Sequence, residues 1–448
     1  MTTRRSSRTK FPLALTAGLT ALSLAACSAS ADEDGGAAPE VSEDQIAAAL
    51  EEGGDLTWWT WVSWSEAQAD AFMELHPNVT IEVVNVGTGG EEYTQIENAL
   101  QAGSGAPDLA QIEYFAIPQF ALSEGLHDLR ALGLGGLEDQ FTASTWGQVS
   151  LDDGVYGLPQ DSGPIVMMYN AALFEEHGIE APTTWDEYVS AAAALKEADP
   201  SIYITEEIGG PTSMPLIWAN GGTPFAIDGT NISIDTADEG SVAWADTFNQ
   251  LMDLDAVAPI AMWSQDWWTA LGNGSIATIL TGAWMPGIFE ASLPEASGDW
   301  RVAPLPTADG SPMTGENGGS SMAITSQAEN PELAAAFLEW LTTDEASIDL
   351  FLEGGGFPAT TANIEDEEFI GEEWDFYGGQ QVNQVGADAS ASVAEGWTFL
   401  PYQVHAYTLF GDTVSQAFVN KTDLNDGLAA WQEQLVTYGN QQGFSVNQ

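Results

Sequence analysis

The chain is 448 residues long and sets 67 Asp and Glu against eight Lys and Arg, a formal net charge of −59 at pH 7. A field of that sign repels phosphate backbones and anionic lipid head groups, which excludes nucleic acid as a partner. With 44% apolar residues and 17 Trp the chain is too hydrophobic for disorder, and one cysteine offers no disulfide, so stability must come from packing.

At the N-terminus Arg4, Arg5, Arg8 and Lys10 precede an apolar run from Phe11 to Ala26. The run is short for a membrane span and ends in small residues, the layout of an export segment. Its last residues, Leu24-Ala25-Ala26-Cys27, resemble the lipobox of bacterial lipoproteins. That resemblance implies a signal peptide over 1–26, acylation of Cys27 and a protein tethered by lipid to the extracellular face of the cytoplasmic membrane. Residues 27–54, the acylated Cys and a Ser-, Ala-, Asp-, Glu- and Gly-rich stretch in which Gln45–Glu51 could be helical, read as a solvated spacer. Beyond it only Arg130, Lys196, Arg301 and Lys421 are basic, and no later segment has the length of an apolar spanning helix.

Ordered structure is expected from Leu56 to Val62, an aromatic and β-branched run that reads as a buried strand in which Trp58 packs inward. Ala69, Phe72 and Met73 share a helical face, and Val79–Val84 is a second strand. Tyr93, Ile96 and Leu100 recur at helical spacing up to a stop at Gly103, and Asp108–Ile112 is a third strand. This alternation is that of a parallel sheet covered by helices. Further on, Thr184-Trp185-Asp186-Glu187 is a capping box, Asn330-Pro331 opens a helix, and Ala406–Val419 and Leu428–Tyr438 are closing helices. The acidic run Glu365–Glu373 reads as a solvated face.

The common catalytic and cofactor motifs are missing. There is no Gly-x-Ser-x-Gly, Walker or Gly-x-Gly-x-x-Gly pattern, so no cofactor is expected. His76, His127, His177 and His405 form no metal-binding pair at helical spacing. A pair of catalytic carboxylates stays open, because 67 acidic residues always offer candidates.

Several segments, in order, resemble the extracellular solute-binding proteins of ABC importers, in the sugar-binding group that includes maltose-binding protein. They are Ala99–Leu109 with its Gly-x-Gly-Ala-Pro-Asp turn; Val155–Pro159 followed by Tyr169-Asn170 and Pro182–Glu187; and Ala283-Trp284, Ala303–Pro306 and Gly318–Ile324 before Asn330-Pro331. The resemblance implies an α/β, two-lobed periplasmic-binding-protein-like fold with hinge crossings and a ligand cleft between the lobes. Lobe one would comprise 55–130 and 303–353, lobe two 131–302 and 354–448. It also implies a monomer that binds a carbohydrate and docks on the transmembrane subunits of an ABC permease, with no catalysis.

A sugar presents hydroxyls at its rim and C–H faces above and below. Its site needs aromatic plates and strong hydrogen-bond acceptors such as carboxylates. Loops after strands supply Trp64 and Glu66, then Glu113 and Tyr114, then Asp161. The family resemblance adds Trp284, Gly318 and Gly319, Trp218 and Asn220 in Trp-x-Asn-Gly-Gly, and Phe357 in Gly-Phe-Pro-Ala. Among Trp263, Trp267 and Trp268, helix packing absorbs two and leaves one for the cleft, which one being open. Two other readings fit the composition: a secreted glycosidase using two carboxylates, and the same fold binding a peptide or polyol phosphate, the phosphate disfavoured by the lack of basic cleft residues.

Overall fold

Part of the expected spacer is ordered, Glu43–Glu52 being a helix packed on helix Pro331–Thr343, and the aromatic run that follows forms an inner strand of a sheet. In a computed structural model that describes residues 41–447, strand β1 (Gly54–Trp59) pairs in parallel with β2 (Val79–Val84) and with β3 (Leu109–Glu113). Leu56 and Trp58 point to one buried face, and Trp58 meets Phe337 edge-on at 5.4 Å between ring centroids. The strand ends earlier than the apolar run suggests: Thr60 makes the last backbone bond to β2, its N donating to Val84 O at 3.1 Å, and its hydroxyl donates to Gln111 at 2.7 Å. Helices Ser65–Leu75 and Gly90–Ala102 connect these strands, and the second stops at Gly103 in the left-handed conformation (φ 73°).

The sheet is completed from later in the chain. Strand β4 (Leu158–Pro159) comes next, followed by β5 (Ile165–Asn170), β6 (Thr278–Gly282), β7 (Trp300–Pro304) and β8 (Ser320–Ile324). Strand β8 runs antiparallel between β3 and β4, giving the order β2-β1-β3-β8-β4. The second lobe is built on the antiparallel sheet β6-β5-β7, flanked by the parallel pair Thr205–Glu207 and Val257–Ala261. Helices Val382–Ser390, Gln403–Asp412 and Leu424–Gln441 pack on this lobe. The expected closing helix at 406–419 is two helices, broken at Thr413 (φ −124°, ψ −75°).

Strand membership places the first crossing between the lobes at 160–164, later than the 130/131 boundary expected from the sequence, because helix Ala143–Val149 and β4 both lie with the first sheet. The second crossing lies between β7 and β8 and the third near Phe357. These segments are laced together: the Gly163 amide donates to the Glu316 carboxylate at 2.8 Å, Asn317 N donates to Gly163 O at 2.7 Å, and Ser162 N donates to Phe357 O at 3.0 Å. Ser144 and Ser162 also donate their hydroxyls to Glu316, at 3.0 and 3.2 Å. Thr184 and Glu187 form the expected capping box, and Asn330 caps its helix through Leu333 N at 3.2 Å. No described helix is long and apolar enough to cross a membrane. Cys27 and the export segment lie outside the described residues.

Candidate functional site

A cavity of about 380 Å³ opens where the two sheets face each other across the crossings. The first sheet contributes Glu113, the last residue of β3, and Phe115 from the turn that follows. This is the carboxyl end of a parallel strand, where open α/β sheets leave a crevice. The second lobe contributes Glu207, the start of helix Gly210–Ala219, the corner Ala261-Met262-Trp263, and Trp284; the second crossing contributes Glu316, Asn317 and Gly318, and the C-terminal region Phe399 and Tyr407.

Trp284 is the best-fixed aromatic. Its Nε1 donates to Asn317 O at 2.8 Å, and Asn317 is itself anchored, its side chain accepting from Gly282 N at 3.2 Å and donating to Pro211 O at 2.9 Å. The indole can lie so close to the crossings only because two neighbours lack a Cβ. A Cβ on Gly282 would come within 2.2 Å of Trp284 Nε1, and one on Gly163 within 2.2 Å of Asn317 O. Gly318 and Gly319 follow at φ 71° and 82°, a left-handed pair that side chains disfavour. Trp263 lies nearly parallel to Trp284, 16° between planes and 6.1 Å between centroids. Opposite them Phe115 sets its edge against Tyr407 at 5.0 Å and 70°.

The electrostatics are one-sided, since no Lys or Arg lines the cavity. Burial pushes the Glu113 carboxyl up to about 7, the hydrogen bond from Tyr93 OH (3.0 Å) partly opposing it. Asp161 is also raised to about 7 by burial, although Ser320 N donates to it at 2.6 Å and the neighbouring carboxylates Glu113 and Glu316 add to the rise. Burial raises Glu207 and Glu316 as well. Acceptors without basic partners call for a ligand that brings its own donors, and the flat apolar walls call for one with C–H faces.

Of the residues expected from the sequence, Glu113, Trp284 and Gly318 line the cavity. Tyr114, Asp161 and Gly319 stand one layer behind: Tyr114 OH donates to Asp161 O at 2.7 Å, and Tyr114 fills the space a Gly319 side chain would need. The remaining five sit elsewhere. Trp64 packs edge-on against Phe351 at 5.3 Å, next to Gly354, and Glu66 is exposed in the first turn of its helix. Trp218 is a core residue, 1% exposed and stacked on Trp397 at 4.0 Å, because its helix is buried all round. Asn220 ends that helix and donates back to Leu216 O at 2.8 Å. Phe357 is buried among Ala283, Ile364 and Phe369.

Of the three clustered tryptophans, Trp267 is wholly buried and Trp268 partly, and Trp263, 51% exposed, faces the cavity. Serine at position 264 is the signal: it caps the helix Gln265–Gly272, so the residue before it lies outside the helix. Tyr407, Phe399 and Glu207 carry no comparable signal, because each takes its place through contacts between distant segments. A second, larger cavity of about 1040 Å³ lies between helix Ala143–Val149 and the segments 361–370 and 384–401. None of the expected site residues lines it. Among the described residues no group of three or more His, Cys, Asp and Glu is arranged to hold a metal ion.

Residues 58–348 match the model of a family described as bacterial extracellular solute-binding protein. The chain is 27% identical over 328 residues to an arabinooligosaccharide-binding protein of Halalkalibacterium halodurans, covering 70% of this chain and 71% of the relative. It is 23% identical over 356 residues to a lactose-binding protein of Rhizobium radiobacter, covering 75% and 82%. Among solved structures, an ABC-transporter-associated binding protein of Bifidobacterium animalis subsp. lactis in complex with β-1,6-galactobiose superposes with a TM-score of 0.82 at 35% identity, over 88% of this chain and 99% of that one. The galacto-N-biose/lacto-N-biose I-binding protein of Bifidobacterium longum, in complex with lacto-N-biose, gives 0.77 at 25% identity over the same shares.

Proposed function

Because the chain belongs to the bacterial extracellular solute-binding proteins, we propose that it is the sugar-capturing component of an ABC importer, with an oligosaccharide as its cargo. The observation that carries this reading is the chemistry of the smaller cavity: a tryptophan fixed against the crossings, a second tryptophan parallel to it, three carboxylates and no basic side chain. Pyranose C–H faces pack on the indoles, and sugar hydroxyls hydrogen-bond to the carboxyl groups of Glu113 and Glu207. Relatives named for arabinooligosaccharides and lactose, and a similar structure holding a disaccharide, support the ligand class.

The mechanism is binding without bond cleavage. Ligand held by the second lobe through Trp284 and by the first through Glu113 favours the conformation in which both contacts exist, so the lobes close by rotation at the crossings. The closed face then docks on the permease. Asp161, Tyr114 and Gly319 support the site from behind by fixing the crossing that carries Gly318. Acylation at Cys27 would hold a monomer at the extracellular face of the membrane, within reach of that permease.

The test is a thermal-shift screen of the protein lacking residues 1–27 against mono- and oligosaccharides. A ligand at a thousand times its dissociation constant adds about 4 kcal/mol, several degrees for a protein of this size. A clear shift with the sugar recovered intact supports the reading. A degraded sugar would make it a hydrolase, and no shift with any saccharide would remove the sugar.

A further inference from the structure

The corner that presents Trp263 is built in an unusual way. Residues Ala261–Ser264 form a tight turn, closed by Ser264 N donating to Ala261 O at 3.3 Å and by the Ser264 hydroxyl on the same carbonyl at 2.7 Å. Trp263 occupies the third position of this turn with φ at +66°. A positive φ there is the mark of a type II turn, and the residue that fits it without strain is glycine. Few non-glycine residues in the described chain share this conformation, and Trp263 is the one aromatic among them. A large side chain held in a sparsely populated conformation, and half exposed at a cavity, points to a role that outweighs the strain.

The surroundings define that role. Trp284 is locked by its hydrogen bond to Asn317 and by the glycines around it. Trp263 makes no hydrogen bond with its indole among the described contacts; it rests on Trp267 and Trp268, at 5.6 and 6.0 Å, and lies nearly parallel to Trp284 at 6.1 Å. Both rings line the cavity, and Trp263, half exposed, is the one nearer solvent.

We propose that Trp263 sets the length of ligand this protein selects: Trp284 carries one sugar unit, and Trp263 carries the next, so that the site discriminates a chain of two or more units from a single one. The proposal rests on the saccharide reading above and extends it to a residue and a ligand length. The turn accepts a conformation that glycine would take more easily because the aromatic face is needed beyond the end of the fixed platform.

The test uses the protein lacking residues 1–27 and two variants. Trp263→Gly removes the ring and suits the turn; Trp263→Leu keeps bulk over Trp267 and Trp268 but has no flat face. Calorimetric titrations compare β-1,6-galactobiose, lacto-N-biose, lactose and maltose with their monosaccharides. The expected result is that both variants lose at least about tenfold in affinity for the preferred disaccharide and keep their monosaccharide affinity within about twofold, and that Trp263→Gly melts at a higher temperature without ligand. Equal loss for both ligand lengths, or no loss, overturns the role of Trp263 while leaving the sugar reading intact. A folded wild-type protein that binds neither these sugars nor any other saccharide in the thermal-shift screen overturns both.

Discussion

The two cavities differ in the opposite way from what their sizes suggest. The larger, about 1040 Å³, is lined mostly by small and polar side chains such as Ala143, Ser144, Gly147, Ser390 and Ala391, with Trp397 and Phe399 at one end. The smaller, about 380 Å³, gathers aromatic rings and carboxylates from both lobes and from a crossing. Around the smaller one the chain also holds what folding alone does not favour: a tryptophan at positive φ, consecutive left-handed glycines, and acidic groups raised by burial. Volume marks where lobes fail to meet. A tryptophan on strained backbone and buried carboxylates without basic partners are what the proposed ligand site has and the larger cavity lacks.

That contrast can be broken by substitution. The largest effect is expected from Trp284→Ala, which removes the fixed plate; sugar affinity should fall by about a hundredfold, or 2.7 kcal/mol, by calorimetric titration. An unchanged affinity would transfer the site to another wall. Gly282→Ala should come next, since the added methyl meets Trp284 Nε1 at 2.2 Å. The displaced indole is expected to cost about 1–2 kcal/mol of stability, read from urea unfolding, along with about a tenfold loss in affinity.

Glu206 sharpens the comparison from beneath the cavity. It is fully buried, one carboxylate oxygen has no partner, and burial raises it to about 7, next to the cavity-lining Glu207. Because its folded pKa exceeds the ordinary value of 4.5, the stability it contributes is full below about 4.5 and lost as pH rises through about 7. Glu206→Gln should therefore stabilise the protein by about 1 kcal/mol at pH 8 and have no such effect at pH 4, measured by denaturant titration at both. The smallest effect is expected at the larger cavity: Asp388→Asn should leave sugar affinity within about twofold. A larger loss there would make that cavity part of the binding surface.

The elements most open to sequence reading were those whose cause is local. The capping box at Thr184, the Asn330-Pro331 helix start and the stop at Gly103 all lie where their side chains act on the adjacent backbone. Glu113 was placed at the cavity for a related reason, standing at a strand end, whereas Trp284 came from the family resemblance. Trp218 was not. Its helix carries Pro215 and has no polar face, and every residue from Thr212 to Ala219 is buried, so no periodicity separates a ring facing a cavity from one facing the core. Tyr407 and Phe399 reach the cavity only after the C-terminal helices dock, which no local pattern encodes.

The Glu316 carboxylate has a mechanical consequence. It sits on one crossing and accepts hydrogen bonds from the backbone of another and from Ser144 on the first-lobe helix. Two straps riveted together at one point cannot slide or twist separately. The lobes are left with the freedom of a door on its pins and without that of a ball in its socket. On the proposed reading, a ligand then supplies energy for one kind of swing about these joined crossings.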